Sequence, residues 1–286
     1  MEKKLTAQGP KDRKSYTVTL PIEWVKKEKL DRIKQVELDI VGNKIIISPH
    51  KNIREQVLIN GDDYCNCIIK VIQGLYRSGV IEIKLFFSDS KLLNQITQIV
   101  EKLIGYEIIE QKKDYIIIKE ITKENDEDFR VIFRRIFLLL LGYSEIEEIE
   151  QADLLDKNIK KLINYCERIL IKKGHTEFTK IPLYYLILDR FEKISDEFVW
   201  LLETDAKERN KQDFREINRL LRDAYELFYK FDAKKYNICQ YKTYQLKKEI
   251  KSGLKVDIAS IHVHNLYRLL NSLYGDIFTL KFDEGN

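Results

Sequence analysis

Proline is scarce: the chain has four in 286 residues, and only Pro182 lies between 125 and 278. Beyond residue 125, then, almost nothing breaks a helix. Cysteine is also sparse, with Cys65, Cys67, Cys166 and Cys239 and no C-x-x-C pair. Cys65 and Cys67 stand two apart on an expected helix, about 200° around it, and face apart. That argues against a zinc site, and in a reducing compartment all four read as free thiols. Long apolar runs are missing as well. Residues 136–141 fall far short of the roughly 20 that span a membrane. The opening Met1-Glu2-Lys3-Lys4-Leu5 lacks the apolar stretch of a signal peptide. A cytoplasmic protein with no membrane insertion is expected. Of the four histidines, His262 and His264 diverge on one helix, and with His50 and His175 they read as surface or capping groups. There is no G-x-S-x-G, P-loop or G-x-G-x-x-G, so no enzyme is expected.

What the chain does have is a core under a charged surface: 44% hydrophobic and 34% charged residues. Its net charge of +4 is unevenly spread. Through Glu55, thirteen Lys and Arg stand against eight Asp and Glu; the remainder carries thirty-seven against thirty-eight. A polyanion would meet the first end.

The pattern along the chain predicts a multidomain α+β protein. In residues 15–20, Ser-Tyr-Thr-Val-Thr-Leu alternates as a strand, and Pro21 suits the first position of a short helix over 22–29. Strands over 35–41 and 44–48 flank Gly42-Asn43, a two-residue turn. This β-α-β-β unit, residues 1–52, is small for a core of its own and calls for a partner, most simply a second copy. Residues 53–124 read as an α/β connector: a helix over 61–77, a strand over 81–87, a helix capped by Ser88 or Asp89, then strands over 106–110 and 115–121. Gly105 falls where that helix should stop. From 125 to 286, helices are predicted near 127–148, 151–172, 180–204, 208–230, 234–252 and 257–278. Short connections make them a six-helix bundle, with room for a three-plus-three repeat. Tyr16, Trp24 and the periodic Leu220, Ala224, Leu227 and Phe231 read as core.

Lys14-Ser15-Tyr16-Thr17-Val18-Thr19-Leu20-Pro21-Ile22-Glu23-Trp24-Val25 resembles the opening of AbrB/MazE/SpoVT-type domains. In that family a strand ends at Leu-Pro, a short helix follows, and two chains interleave their hairpins. The resemblance covers about residues 4–50, including Val36-Glu37-Leu38 and Ile45-Ile46-Ile47-Ser48-Pro49. It implies a swapped-hairpin homodimer that binds DNA through basic residues near its strand ends. Here these would be Lys11, Arg13 and Lys14, with Lys3, Lys4 and Lys44 as peripheral phosphate contacts. Lysines would add salt-dependent affinity blind to sequence, and an arginine could read guanine. The alternative is that these charges solvate a dimerisation module.

In the helical part, Asp189-Arg190-Phe191-Glu192-Lys193-Ile194-Ser195-Asp196 places three carboxylates on about one helix face. Such a cluster suits oxygen-preferring cations. The run resembles the E-R-x-x-D signature of PhoU proteins, whose three-helix repeats carry metal-binding carboxylates. Asp153 and Asp156 resemble the acidic positions of the preceding helix. A divalent or iron-type metal is then a candidate cofactor on Asp189, Glu192, Asp196, Asp153 and Asp156. The corresponding second run, Tyr267-Arg268-Leu269-Leu270-Asn271, has Tyr and Asn where carboxylates would stand. The other reading of the first run is a solvated face with ordinary charge pairing.

An AbrB-like domain, a connector and a PhoU-like bundle in this order resemble an archaeal-type family of phosphate uptake regulators. The resemblance implies a transcriptional regulator of phosphate homeostasis, with DNA, its own second copy and a phosphate transporter or signalling protein as partners. The competing expectation is an adapter that regulates such a transporter or kinase by contact and binds no DNA.

Overall fold

Strand-forming residues open the chain, and the first fifty residues pair accordingly. In the computed structural model, residues 3–10, 13–41, 44–48, 56–122, 126–146, 148–173, 178–204, 211–253 and 257–282 are described. The chain divides into two compact units, Met1–Asn52 and Ile53–Asn286.

In the first unit β1 (Thr6–Gln8) and β2 (Ser15–Thr17) form an antiparallel pair with Ala7 opposite Tyr16. β1 precedes the first expected strand and has no alternating pattern of its own. Pro21 is the N-cap of α1 (Ile22–Lys27) rather than its first residue. A single turn, α2 (Leu30–Ile33), lies between Lys29 and Lys34, both with positive φ. β3 (Glu37–Val41) then pairs with β4 (Lys44–Ser48), Val41 opposite Lys44. The expected Gly42-Asn43 turn lies outside the described residues. Leu30 is the one buried apolar residue described in this unit, while Leu5, Ile22, Leu38 and Ile45 are exposed and Ile40 is 77% exposed. Tyr16, expected in a core, is 65% exposed, and Trp24 is half-buried. Two separate strand pairs with so little burial do not stabilise themselves.

The second unit begins with β5 (Gln56–Asn60), a strand that the sequence pattern does not single out. A short 3-10 turn leads to α3 (Ile68–Arg77), then come β6 (Glu82–Phe86), α4 (Ser90–Val100), β7 (Tyr106–Gln111) and β8 (Tyr115–Glu120). The sheet order is β5-β6-β8-β7; β5 and β6 run parallel, and the other neighbours are antiparallel. Ile68, Ile72 and Tyr76 recur every fourth residue, so α3 buries one stripe against Ile83, Leu85, Ile116 and Ile118 of the sheet. The Asp89 side chain accepts from Lys91 N at 2.8 Å and starts α4. α4 ends at Val100, before Gly105, which lies at φ +84° in the turn into β7; a Cβ there would collide with Thr122 Oγ1.

Six helices follow: α5 (Asp126–Gly142), α6 (Ile149–Lys173), α7 (Ile181–Glu203), α8 (Lys211–Tyr229), α9 (Ala233–Gly253) and α10 (Ile258–Lys281). Helices α5–α7 pack mutually, as do α8–α10, and the two triplets join chiefly along α7 and α10. Phe133, Phe137, Phe191 and Phe228 interlock at the junction, with neighbouring centroids 4.4–6.1 Å apart. No helix among the described residues is long and apolar enough to cross a membrane.

The expected boundary near 124/125 does not separate two cores. Arg168 of α6 is fully buried against the α/β layer. Its Nη1 donates to Tyr76 O at 2.7 Å and its Nη2 to Val80 O at 2.9 Å, with Glu120 Oε1 3.1 Å away. The rings of Tyr76 and Tyr106 lie 4.8 and 4.9 Å from the guanidinium carbon. Lys172 adds 2.7 Å contacts to both oxygens of Glu120. Replacing Arg168 with Met should cost about 3–5 kcal/mol, because it removes two buried charge-assisted hydrogen bonds, to Tyr76 O and Val80 O, and leaves Glu120 with Lys172 alone. A fall in the urea midpoint is expected for both Met and Lys at 168, since an ammonium cannot reproduce the planar fork; an unchanged midpoint would show that the guanidinium is not the clamp.

Candidate nucleic-acid interface and the carboxylate face

The first unit presents the candidates Lys3, Lys4, Arg13 and Lys14 at two ends of one hairpin. Gly9, at φ +102°, turns the chain out of β1, and a Cβ there would lie 2.7 Å from Arg13 O. Arg13 N donates to Pro10 O at 3.0 Å, closing the loop. Arg13 and Lys14 therefore sit together on the loop that enters β2, both exposed. Ser15 Oγ donates to Gln8 O at 3.3 Å and Thr17 Oγ1 to Thr6 O at 3.2 Å, holding the strands behind that loop. Lys3 and Lys4, also exposed, precede β1 at the hairpin's open end. The basic set is thus split along the strands. Lys44 begins β4 in the other strand pair; its side chain, like the whole of Lys11, lies outside the described residues.

Four of the five candidate carboxylates of the second unit are drawn into ion pairs. Asp189 lies 2.6 Å from Lys193 and 3.5 Å from Arg190. Glu192 faces Arg77 of α3 at 3.7 Å. Asp156 and Asp196 share Lys160, at 2.8 and 2.6 Å. Ser195 Oγ donates to Asp156 at 2.8 Å and lies 2.7 Å from the buried Tyr143 hydroxyl, whose ring stacks on Phe198. Asp153 is exposed one turn before Asp156. Among the described residues no group of three or more His, Cys, Asp or Glu is placed to hold a metal ion. The expected shared helix face is present, but neighbouring side chains bring a cation to each carboxylate except Asp153, and the ligand set does not assemble. Asn271, in the second run, donates to Thr243 Oγ1 at 3.1 Å and ties α10 to α9. His262 Nδ1 lies 2.8 Å from Glu197, which Asn265 also contacts. His50 and His175 lie outside the described residues.

A strongly perturbed carboxyl belongs to none of the predicted sites. Glu167 is buried on α6, with Arg77 Nε 2.8 Å from its Oε2. Burial pushes its carboxyl up to about 7; Arg77 opposes the shift, and Glu192 and Asp189 add to it. Arg77 also donates to Asn164 Oδ1 at 2.6 Å, so its charge is shared. The signal in the sequence is Glu167-Arg168 amid Cys166, Ile169 and Leu170, where charged residues interrupt a stretch buried on every side.

The chain matches no protein-family profile, no curated protein and no solved structure.

A carboxyl that holds its proton more tightly when folded stabilises the fold at low pH and loses that contribution as pH rises toward and past about 7. Between pH 5 and 8 the wild type should therefore lose up to roughly 3 kcal/mol from this group. Glu167→Gln should flatten that part of the stability profile in urea titrations at several pH values. A variant that keeps the full pH dependence would assign it to other groups.

Proposed function

We propose that this chain is a dimeric DNA-binding transcriptional regulator whose N-terminal hairpin unit holds the duplex and whose helical part receives a signal of phosphate status. One observation carries the reading. The first unit presents Arg13 and Lys14 on a tight loop while leaving Leu38, Ile40 and Ile45 uncovered. Apolar strands without a core are the condition that interleaved hairpins from a second copy relieve. Such a dimer would display two copies of the basic loop, matching the two-fold symmetry of an operator. The AbrB-like opening and its excess of positive charge support the same assignment.

The PhoU-like part of the proposal rests on the 189–196 run and on two mutually packed helix triplets. In this reading the bundle works by protein contact rather than by a carboxylate-held metal, since its carboxylates are engaged by Lys160, Arg77, Lys193 and Arg190.

The adapter reading has an observation of its own. The sheet face turned away from α3 carries exposed Leu58, Phe86 and Ile109, with Lys84 Nζ 4.3 Å from the centre of the Tyr115 ring. Its charges are balanced by Glu82, which pairs with Lys119 at 3.0 Å, and by Glu110, which accepts from the Tyr115 hydroxyl at 2.8 Å. A face of that composition suits a protein surface better than a polyanion.

Chromatin immunoprecipitation from phosphate-replete and phosphate-starved cells should give discrete peaks that change with phosphate. No enrichment in either state would favour the adapter. In vitro, Arg13→Ala with Lys14→Ala should weaken duplex binding and lower the salt slope by about 0.9 for each phosphate that is no longer neutralised. An unchanged slope would remove both residues from the interface.

A further inference from the structure

Dividing the charge at Glu55 conceals a second basic region. Residues 211–253, which form α8, α9 and their connection, hold eleven Lys and Arg against six Asp and Glu, a net +5. The first 55 residues also carry +5 and the whole chain +4, so all other residues together carry −6. The positive field of the second unit is therefore concentrated on one helical hairpin.

Its internal pairing leaves a particular set of cations outward. Lys235 of α9 lies 2.7 Å from Asp223 of α8 and 2.5 Å from Glu226, and Lys242 pairs with Glu216. These cross-links fix α8 and α9 antiparallel and consume the carboxylates between them. Asp232 is occupied in capping α9, accepting from Lys235 N at 2.7 Å. Arg215, Arg219 and Arg222 remain on the exposed side of α8, and none makes an ion pair among the described residues. At about 1.5 Å of rise per residue they form a row roughly 10 Å long. Beside it, α9 exposes Lys234, Ile238, Tyr241, Tyr244 and Lys248, with Lys247 lying over the Tyr244 ring at 5.4 Å.

We propose that this α8–α9 face is a second DNA-contact surface, docking on the phosphodiester backbone of duplex DNA; it extends the reading of the chain as a DNA-binding regulator. Guanidiniums are the side chains best matched to phosphate oxygens, since their planar fork donates two parallel hydrogen bonds. Duplex DNA presents one negative charge about every 1.7 Å of its axis, so a row of this length meets several phosphates at once. Exposed tyrosine hydroxyls add neutral donors of the kind that contact DNA backbones. An anionic membrane surface fits less well. Interfacial helices insert a broad apolar face, whereas α9 turns outward one isoleucine and two tyrosines set among lysines. The contact would be indifferent to base sequence and would add affinity and salt dependence to whatever the N-terminal loops read.

The test uses the full chain and fluorescence anisotropy with a duplex of about 30 base pairs over a salt series. Arg215→Gln, Arg219→Gln and Arg222→Gln are combined in one variant. The comparison variant carries Lys70→Gln, Lys102→Gln and Lys113→Gln, the same loss of charge at exposed positions elsewhere in the second unit. All six side chains are exposed, so both variants should keep the wild-type melting midpoint. The arginine variant should bind about tenfold or more weakly with a reduced salt slope, while the lysine variant stays within about twofold of wild type. Equal losses in the two variants would reduce the effect to net charge and overturn the proposal. Wild-type binding that is lost in Arg13→Ala with Lys14→Ala but intact in the arginine variant would overturn this surface alone. The reverse pattern would uphold this surface and overturn the N-terminal site. Absence of duplex binding, with capture instead by phosphatidylserine vesicles or by a second copy in sedimentation, would overturn both.

Discussion

A fully buried guanidinium organises the larger unit. Removing Arg168 from water is costly, so every donor it carries must find an acceptor in the protein. The acceptors come from three places: the last turn of α3, the residue entering β6, and the end of β8. Two tyrosine rings close on the faces of the fork. One helix of the bundle is thereby clamped to the sheet layer, and the connector has no independent core. Gly79 belongs to the same constraint. It lies at φ +83° beside Lys172, and a Cβ there would stand 2.9 Å from Lys172 Cγ. The chain needs that tight approach for Lys172 to reach Glu120.

The carboxylate face of α7 illustrates how tertiary packing redirects a sequence motif. Spacing alone gathers Asp189, Glu192 and Asp196, but it says nothing of what neighbouring helices bring. Here Lys160 comes from α6 and Arg77 from α3, and in a partly dehydrated setting each cation draws two acids toward itself. The negative charge that would have held a metal is spent on joining helices. Tyr143, Ser195 and Asp156 continue that join inward as a chain of hydrogen bonds.

In the proposed regulator the two units contribute different physics. The first has a charged loop and strands that lack a core, so its stability depends on association. The second has a continuous core and, though close to neutral as a whole, gathers a local positive charge on α8 and α9.

Much of the architecture is legible in the residues. Six helices beyond residue 125 follow from apolar periodicity and the near absence of proline, both local properties. The Asp89 cap and the β7–β8 hairpin are local in the same way. β1 and β5 escape such a reading because short segments without clear alternation become strands only when a partner supplies the ladder. Gly105 serves a strand entry rather than the expected helix end, since a positive φ suits either. The separate charge excesses can be counted from composition, but which arginines remain unpaired depends on Glu216, Asp223 and Glu226 meeting lysines from α9. Arg168 and Glu167 are visible in the sequence as charges in an apolar run. Their roles are decided by residues far along the chain, Tyr76 and Val80 for the arginine and Arg77 for the glutamate, because burial and pairing are set by which distant segments share a core.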